Sequence, residues 1–254
     1  MIRMDLKNKN CLVTGASSGI GLSSVKLLLS QGANVFAISI DPINLSHDNL
    51  KKYICDLTDI EQVKKSFNMA LEQLKSIDIY IANAGQARYG YSKNISEKDI
   101  NLLFDLNVKA VIKGLNLMKE TYHDKAFTYM VTSSVMSFCP LPGYSTYSAT
   151  KAAISTYIKS YRKEVSHNQK LILVYPVATD TNFFKTAGQK HKAWMIQSPE
   201  FVAKKMINGI KKGKKEIYPS RLFKSIHQYF PFLLKPYINH EIKKLKEKDS
   251  PTTN

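Results

Sequence analysis

The strongest constraint on what this chain can fold into is a strand-like run, Asn10 to Thr14, that passes straight into a glycine-rich turn. That turn reads Thr14-Gly15-Ala16-Ser17-Ser18-Gly19-Ile20-Gly21, and helical periodicity follows at Leu22, Val25, Leu28 and Leu29. Glycine accepts the backbone of a sharp turn and lets N–H groups approach a pyrophosphate at a helix N-terminus. Any strand-to-helix turn can use glycine, and the three-residue gap between the first two glycines differs from GxGxxG. Its place directly after the first strand is what gives this one weight.

The same alternation continues. Gly32 stops the first helix, and Asn34 to Ile38 reads as a second strand. Further strands are expected at Tyr53 to Cys55, Ile77 to Ala82, Phe127 to Thr132, Lys170 to Tyr175 and Glu216 to Tyr218. Between them, Asp59 is placed to cap a helix carrying Val63, Phe67 and Leu71, and a long helix is expected from about Ser96 to Glu120. Pro199-Glu200 opens another. Repeated β-α units of this length imply an α/β fold, one doubly wound domain with a roughly seven-stranded parallel sheet flanked by helices. We expect that domain over residues 1–220 and a basic, aromatic-containing extension over 221–254.

Composition narrows the class. Hydrophobic content of 44% and charged content of 22% in 254 residues suit a soluble domain with a substantial core. Met1 to Lys7 has no apolar h-region, and no stretch approaches the roughly 18 apolar residues of a spanning helix. Cys11, Cys55 and Cys139 are odd in number and far apart, as reduced cytoplasmic thiols would be. The six histidines show no metal-ligand spacing, so no metal is expected. Net charge is +17, of which +9 falls between Ala203 and Asn254. Such a tail either attracts an anionic surface or is a solubilising lysine-rich face.

Tyr147 and Lys151, four residues apart on an expected helix, lie one turn above each other on one face. An ammonium beside a phenol favours the phenolate and draws its pKa down from about 10. A tyrosine tuned in this way exchanges protons with a substrate oxygen near neutral pH. Alone, the pair could equally be a solvated helix face.

Taken together, TGxxxGxG at Thr14 to Gly21, Asn83-Ala84-Gly85 after the fourth strand, and Tyr147-x-x-x-Lys151 resemble the short-chain dehydrogenase/reductases. The resemblance covers about Asp5 to Ser220, in motif order and spacing as well as identity. It implies a Rossmann-like domain, a nicotinamide dinucleotide cofactor, and hydride transfer between an alcohol and a carbonyl. By the resemblance, Gly15, Gly19 and Gly21 hold the pyrophosphate, with Ser17, Ser18 and Ile20 of the same turn beside it. Asp56, followed by Leu57, matches the acidic residue that meets the adenine. Asn83 matches an asparagine that steadies the central sheet and borders the cofactor with Ala84 and Gly85. For Asp56 and Asn83, plain turn chemistry is the other reading.

The resemblance also implies a catalytic set. Ser134 stands thirteen residues before Tyr147, the spacing of a serine that hydrogen-bonds the substrate oxygen; Ser133 would replace it only if the loop shifted by one. Asn107 matches a helix asparagine whose backbone carbonyl, exposed by a local distortion, holds a water that extends a proton relay from Lys151. Lys151 also holds the nicotinamide ribose. NAD-preferring members end the second strand in Asp; here Ser39, Ile40 and Asp41 occupy that stretch. Loss of the carboxylate at Ser39 leans towards NADP over NAD, although Asp41 could still reach a ribose. After the sixth strand, Pro176 and Thr181 are in register for the cofactor, but Val177 stands where the family places glycine.

Residues 182–198 fall where the family covers its substrate, with Phe183, Phe184 and Trp194 as candidate pocket or packing aromatics. Leu222 to Ile238 mixes aromatic and aliphatic residues with lysines and Pro231 and Pro236. It suits either a segment lying in a membrane interface or a tail that packs on the subunit and closes the pocket. The expected partners are a small alcohol or carbonyl substrate, which a membrane contact would make lipid-like, and further copies in a homodimer or homotetramer. A dinucleotide-binding sensor without chemistry is the rival function. No reading helix or stacking motif supports specific nucleic-acid binding.

Overall fold

The computed structural model describes residues 4–180, 187, 196–229 and 231–249. Seven strands form one sheet in the order β3-β2-β1-β4-β5-β6-β7, every pairing parallel. They are β1 (Asn10–Thr14), β2 (Asn34–Ser39), β3 (Leu50–Ile54), β4 (Ile79–Ala82), β5 (Phe127–Thr132), β6 (Gln169–Val174) and β7 (Glu216–Ile217). The inner strands are apolar along nearly their whole length because both faces are covered: every residue of β4 and β5 is buried.

The helices are α1 (Gly19–Leu29), α2 (Ile60–Leu74), α3 (Glu97–Phe104), α4 (Ala110–Tyr122), α5 (Ser145–Tyr161), α6 (Pro199–Lys211), α7 (Arg221–Tyr229) and α8 (Lys235–Asp249). Asp59 caps α2 as expected, accepting from the Glu61 N–H at 2.9 Å. One core unites the sheet with Phe67, Leu115, Met118, Ile154 and Ile158 from α2, α4 and α5. The other unites it with Val25, Leu28, Val202, Met206 and Ile210 from α1 and α6.

Three elements differ from the sequence reading. The third strand starts at Leu50, not Tyr53, because Lys51 and Lys52 are exposed on an edge strand whose alternation they obscure. The helix expected over Ser96 to Glu120 is broken by a π turn, Asp105–Lys109, between α3 and α4. The tail is helical: a 3₁₀ turn, Pro231–Leu234, joins α7 to α8. Pro231 and Pro236 stand at the starts of that turn and of α8, where a missing N–H costs little. Phe223 and Leu234 reach into the main core, so the tail packs on the subunit.

The strand order reverses between β1 and β4, which run on to β2 on one side and β5 on the other. A crevice therefore opens beyond the carboxyl ends of these two strands. Behind it, Tyr80 and Tyr129 pack tilted at 54° with ring centres 4.8 Å apart, and the Tyr129 hydroxyl donates to the Val111 carbonyl of α4 at 2.7 Å. Gly114 makes room for both phenols: a Cβ there would lie 2.8 Å from the Tyr129 oxygen and 2.9 Å from that of Tyr80. Helix propensity alone favours Gly114→Ala by about 1 kcal/mol. We predict the opposite sign, a loss of about 1–3 kcal/mol in urea denaturation, because the buried Tyr129 bond must break.

Candidate active site

A cleft of ≈ 550 Å³ occupies the crevice. Gly15, Ser17, Ser18, Gly19 and Ile20 form its wall over the start of α1. Gly15 has φ +66°, and a Cβ on it would lie 2.8 Å from the Ala84 Cα. Gly21 sits behind the wall, where a Cβ would come within 2.0 Å of the Gly15 carbonyl oxygen. Ser18 stands at the N-cap of α1 without a side-chain capping bond, leaving the first-turn N–H groups for an anionic ligand.

Asn83, Ala84 and Gly85 line the cleft opposite this turn. The Asn83 amide nitrogen donates to the carbonyls of Thr14, at 3.2 Å, and Gly15, at 3.4 Å. Its oxygen accepts from the Thr132 hydroxyl at 3.1 Å, so one side chain ties the ends of β1, β4 and β5. Asp56 and Leu57 line the far end with Ser39 and Asp41. The Asp56 carboxylate also accepts from the N–H and hydroxyl of Thr58, at 2.9 and 2.8 Å, so turn chemistry and a place in the cleft coincide. The buried Ser39 hydroxyl donates to Ser17 Oγ at 2.7 Å. No Lys or Arg lines this end; Lys151, at the opposite end, is the only cation among the described lining residues.

There Ser134, Tyr147 and Lys151 converge. Ser134 starts the 3₁₀ turn Val135–Ser137, its Oγ accepting from the Met136 N–H at 3.1 Å. Ser133, one residue earlier, bonds Ser155 Oγ at 2.7 Å and the Lys151 carbonyl, which turns it towards α5. The loop is therefore in the register that gives Ser134 to the cleft, where it lines the wall together with Tyr147.

Burial governs the titration of the pair. It raises the Tyr147 phenol well above its usual range, against a smaller lowering by the nearby Ser134 hydroxyl. It lowers the Lys151 amine to about 8. This differs from the expectation of a lysine-depressed phenol, because desolvation outweighs an ammonium 5.7 Å from the ring centre. The Lys151 Nζ donates to the Thr132 carbonyl at 2.8 Å, which aims the amine at the strand end.

Asn107 lies in the π turn, fully buried behind the cleft rather than on its surface. Its oxygen accepts from the Gln86 N–H at 3.0 Å, and its nitrogen donates to the Gln86 carbonyl at 2.9 Å and Thr150 Oγ1 at 3.1 Å. Thr150 in turn donates to the Tyr147 carbonyl at 2.7 Å. Gln86 and Thr150 went unnoticed in the sequence, although both adjoin recognised motifs. Pro176 and Val177 line the cleft, as do Leu102, Leu106, Val135 and Met136. Thr181, Phe183, Phe184 and Trp194 lie outside the described residues.

Comparison with known proteins adds relatives to this geometry. The family model described as short chain dehydrogenase matches residues 9–192. An uncharacterised oxidoreductase of Schizosaccharomyces pombe is 32% identical over 168 residues, 64% of this chain and 57% of that protein's length. The 3-oxoacyl-(acyl-carrier-protein) reductase FabG of Thermotoga maritima is 31% identical over 201 residues, 74% of this chain and 80% of that protein. The crystal structure of a short chain dehydrogenase/reductase from Burkholderia phymatum in complex with NAD superposes with a TM-score of 0.78, covering 99% of both chains. At 16% identity that last likeness concerns the fold alone.

The buried amine has a consequence for stability. Below a pH of about 8 the amine is protonated in both folded and unfolded chains, and its burial costs a constant amount. Between about 8 and 10.5 the unfolded chain still holds a proton that the folded chain has released, so stability rises with pH across this window. We predict that the wild type gains stability relative to Lys151→Met over that range in urea denaturation. A gap that stays constant with pH would show that the amine is not desolvated.

Proposed function

Because the chain belongs to the short-chain dehydrogenase family, we propose that it is a nicotinamide-dinucleotide-dependent oxidoreductase interconverting an alcohol and a carbonyl, with Tyr147 as general acid and base. The observation that carries this reading is the convergence of Ser134, Tyr147 and Lys151 at one end of a cleft whose other wall is the glycine turn. When bound, the dinucleotide supplies or accepts the hydride. Gly15, Gly19 and the N–H groups at the start of α1 bind its phosphates, and Lys151 holds its nicotinamide ribose.

In the reductive direction the substrate oxygen accepts hydrogen bonds from the Ser134 hydroxyl and the Tyr147 phenol. Tyr147 then releases its proton to that oxygen as negative charge develops on it. Lys151, protonated near neutral pH at a pKa of about 8, stabilises the phenolate left behind. A phenol that burial holds above its usual range stays protonated until reaction, which suits a proton donor. The π turn at Asp105–Lys109 shifts the helix hydrogen bonds by one residue, and this supports Asn107 as the place where a backbone carbonyl and water return the proton. The apolar rim of Leu102, Leu106, Val135, Met136 and Val177 favours a hydrophobic or lipid-like carbonyl. The name of the Thermotoga relative, a reductase of 3-oxoacyl chains, is in keeping with that class.

Tyr147→Phe should lower turnover of a ketone panel by about 10²–10⁴-fold while dinucleotide binding, read by fluorescence titration, stays intact. Near-wild-type turnover would remove Tyr147 from the mechanism. A wild type that binds dinucleotide yet reduces no carbonyl would favour the binding-only alternative.

Choice between NADP and NAD turns on the ribose end. Ser39 puts no carboxylate against a 2′-phosphate, whereas among the described lining residues no cation stands at this end to attract one and Asp41 stands at the rim. Weak discrimination follows: we predict kcat/KM values for NADPH and NADH within about tenfold of each other, a difference of about 1.4 kcal/mol. A hundredfold or greater preference in steady-state assays, of order 3 kcal/mol, would mean that a charged group outside this set reads the ribose.

A further inference from the structure

The C-terminal helices have two faces, and the outer one is unlike the rest of the surface. Inward, Phe223 and Leu234 enter the main core, and Leu245 packs with Tyr89, Tyr144 and Tyr147. Outward, Leu222 is 64% exposed, Tyr229 66%, Phe232 59% and Leu233 50%, and Ile242 is also exposed. Five of the ten exposed large apolar side chains among the described residues thus lie in this short stretch. Leu222 and Tyr229 are seven residues apart on α7 and so share one face, and Phe232 and Leu233 follow on the adjoining 3₁₀ turn.

The exposed charge on the outer side of this stretch, from Arg221 to Lys243, is positive. Between residues 221 and 243 the exposed charged side chains are Arg221, Lys224, Lys235 and Lys243, and beyond them the sequence of α8 adds Glu247 and Asp249 beside Lys246 and Lys248. The single carboxylate between Arg221 and Lys243, Glu241, is 1% exposed and paired inward with Lys244 at 2.8 Å. A second copy of the chain is a poor occupant, since a two-fold contact would set these cations against themselves. No described helix is long and apolar enough to cross a membrane.

We propose that this face is a docking surface for an anionic lipid bilayer, on which α7 and the 3₁₀ turn lie at the headgroup boundary. Leu222, Tyr229, Phe232 and Leu233 enter the apolar side of that boundary while the cations meet lipid phosphates. The inner face of the same tail borders the Tyr147 cluster, so docking brings the catalytic wall to the bilayer surface. The inference stands apart from the enzymatic reading, because vesicle binding is measured without dinucleotide or substrate.

The test is co-sedimentation of the full chain with phosphatidylcholine vesicles, with and without phosphatidylserine, at low and raised salt. Retention is expected to be at least about tenfold greater on the anionic vesicles and to fall as salt rises. The double variant Phe232→Ser/Leu233→Ser should lose about tenfold of that binding with an unchanged circular dichroism spectrum, since both side chains are exposed. Equal retention on both lipids, no retention, or an unaffected double variant would overturn the proposal. So would a wild type that ignores vesicles while the double variant changes only the mass found by light scattering, which would assign the face to a second copy.

Discussion

The whole crevice depends on how closely the glycine turn lies against the end of β4. The Gly15 carbonyl, the Gly21 Cα and the Asn83 amide share a space in which a single added methyl group has no room. Asn83 then converts that contact into order, by bonding two carbonyls at the end of β1 and accepting from Thr132 at the end of β5. Three strand ends are thereby held in one plane of reference. The N-terminus of α1 and the start of the Ser134 turn both take their positions from it. A larger residue at position 21 would not merely crowd a ligand; it would part the strand ends that define the cleft.

From that frame the chemistry follows by burial. Lys151 is carried on α5, and its amine reaches across to the carbonyl of Thr132, the residue that Asn83 fixes. The fold therefore holds an amine in a place where charge is costly, and keeps beside it a phenol that burial discourages from ionising. Each group alone weakens the fold or leaves it indifferent. In the proposed reaction the two act together, the phenol giving its proton as a substrate oxygen develops charge, and the burial that costs stability is what prepares them for it.

How far this was legible depended on the kind of interaction. The sheet could be read because doubly covered strands are apolar throughout, and β1, β2, β5 and β6 lie close to the expected bounds. The third strand was misplaced because Lys51 and Lys52 face solvent at an edge, where burial no longer writes a pattern. The π turn was hidden because one extra residue barely disturbs helical periodicity over Ser96 to Glu120. Gln86 and Thr150 escaped notice because they act through backbone groups and a small hydroxyl, meeting Asn107 across 21 and 43 positions of chain. The direction of the Tyr147 shift was also beyond the sequence, since spacing reveals a neighbouring lysine but not the water both groups have lost.

The tail shows why composition without orientation misleads. Its lysines and aromatics read equally well as a surface segment and as a pocket cover, and the structure divides them by helix face. Glu241 decides that division. Buried with Lys244 at 2.8 Å, it would leave an unpaired cation in the interior if lost, so the pair fixes which side of α8 turns inward. Leu245, one turn on, follows it towards Tyr144 and Tyr147, and Ile242, Lys243 and Lys246 are forced outward by the same 3.6-residue repeat. Near this buried carboxylate, burial first and its charge second hold the phenols of Tyr89 and Tyr237 in their neutral form. One helix thus sets the packing behind Tyr147 and, by the geometry of its own turns, the charge that the protein shows to its surroundings.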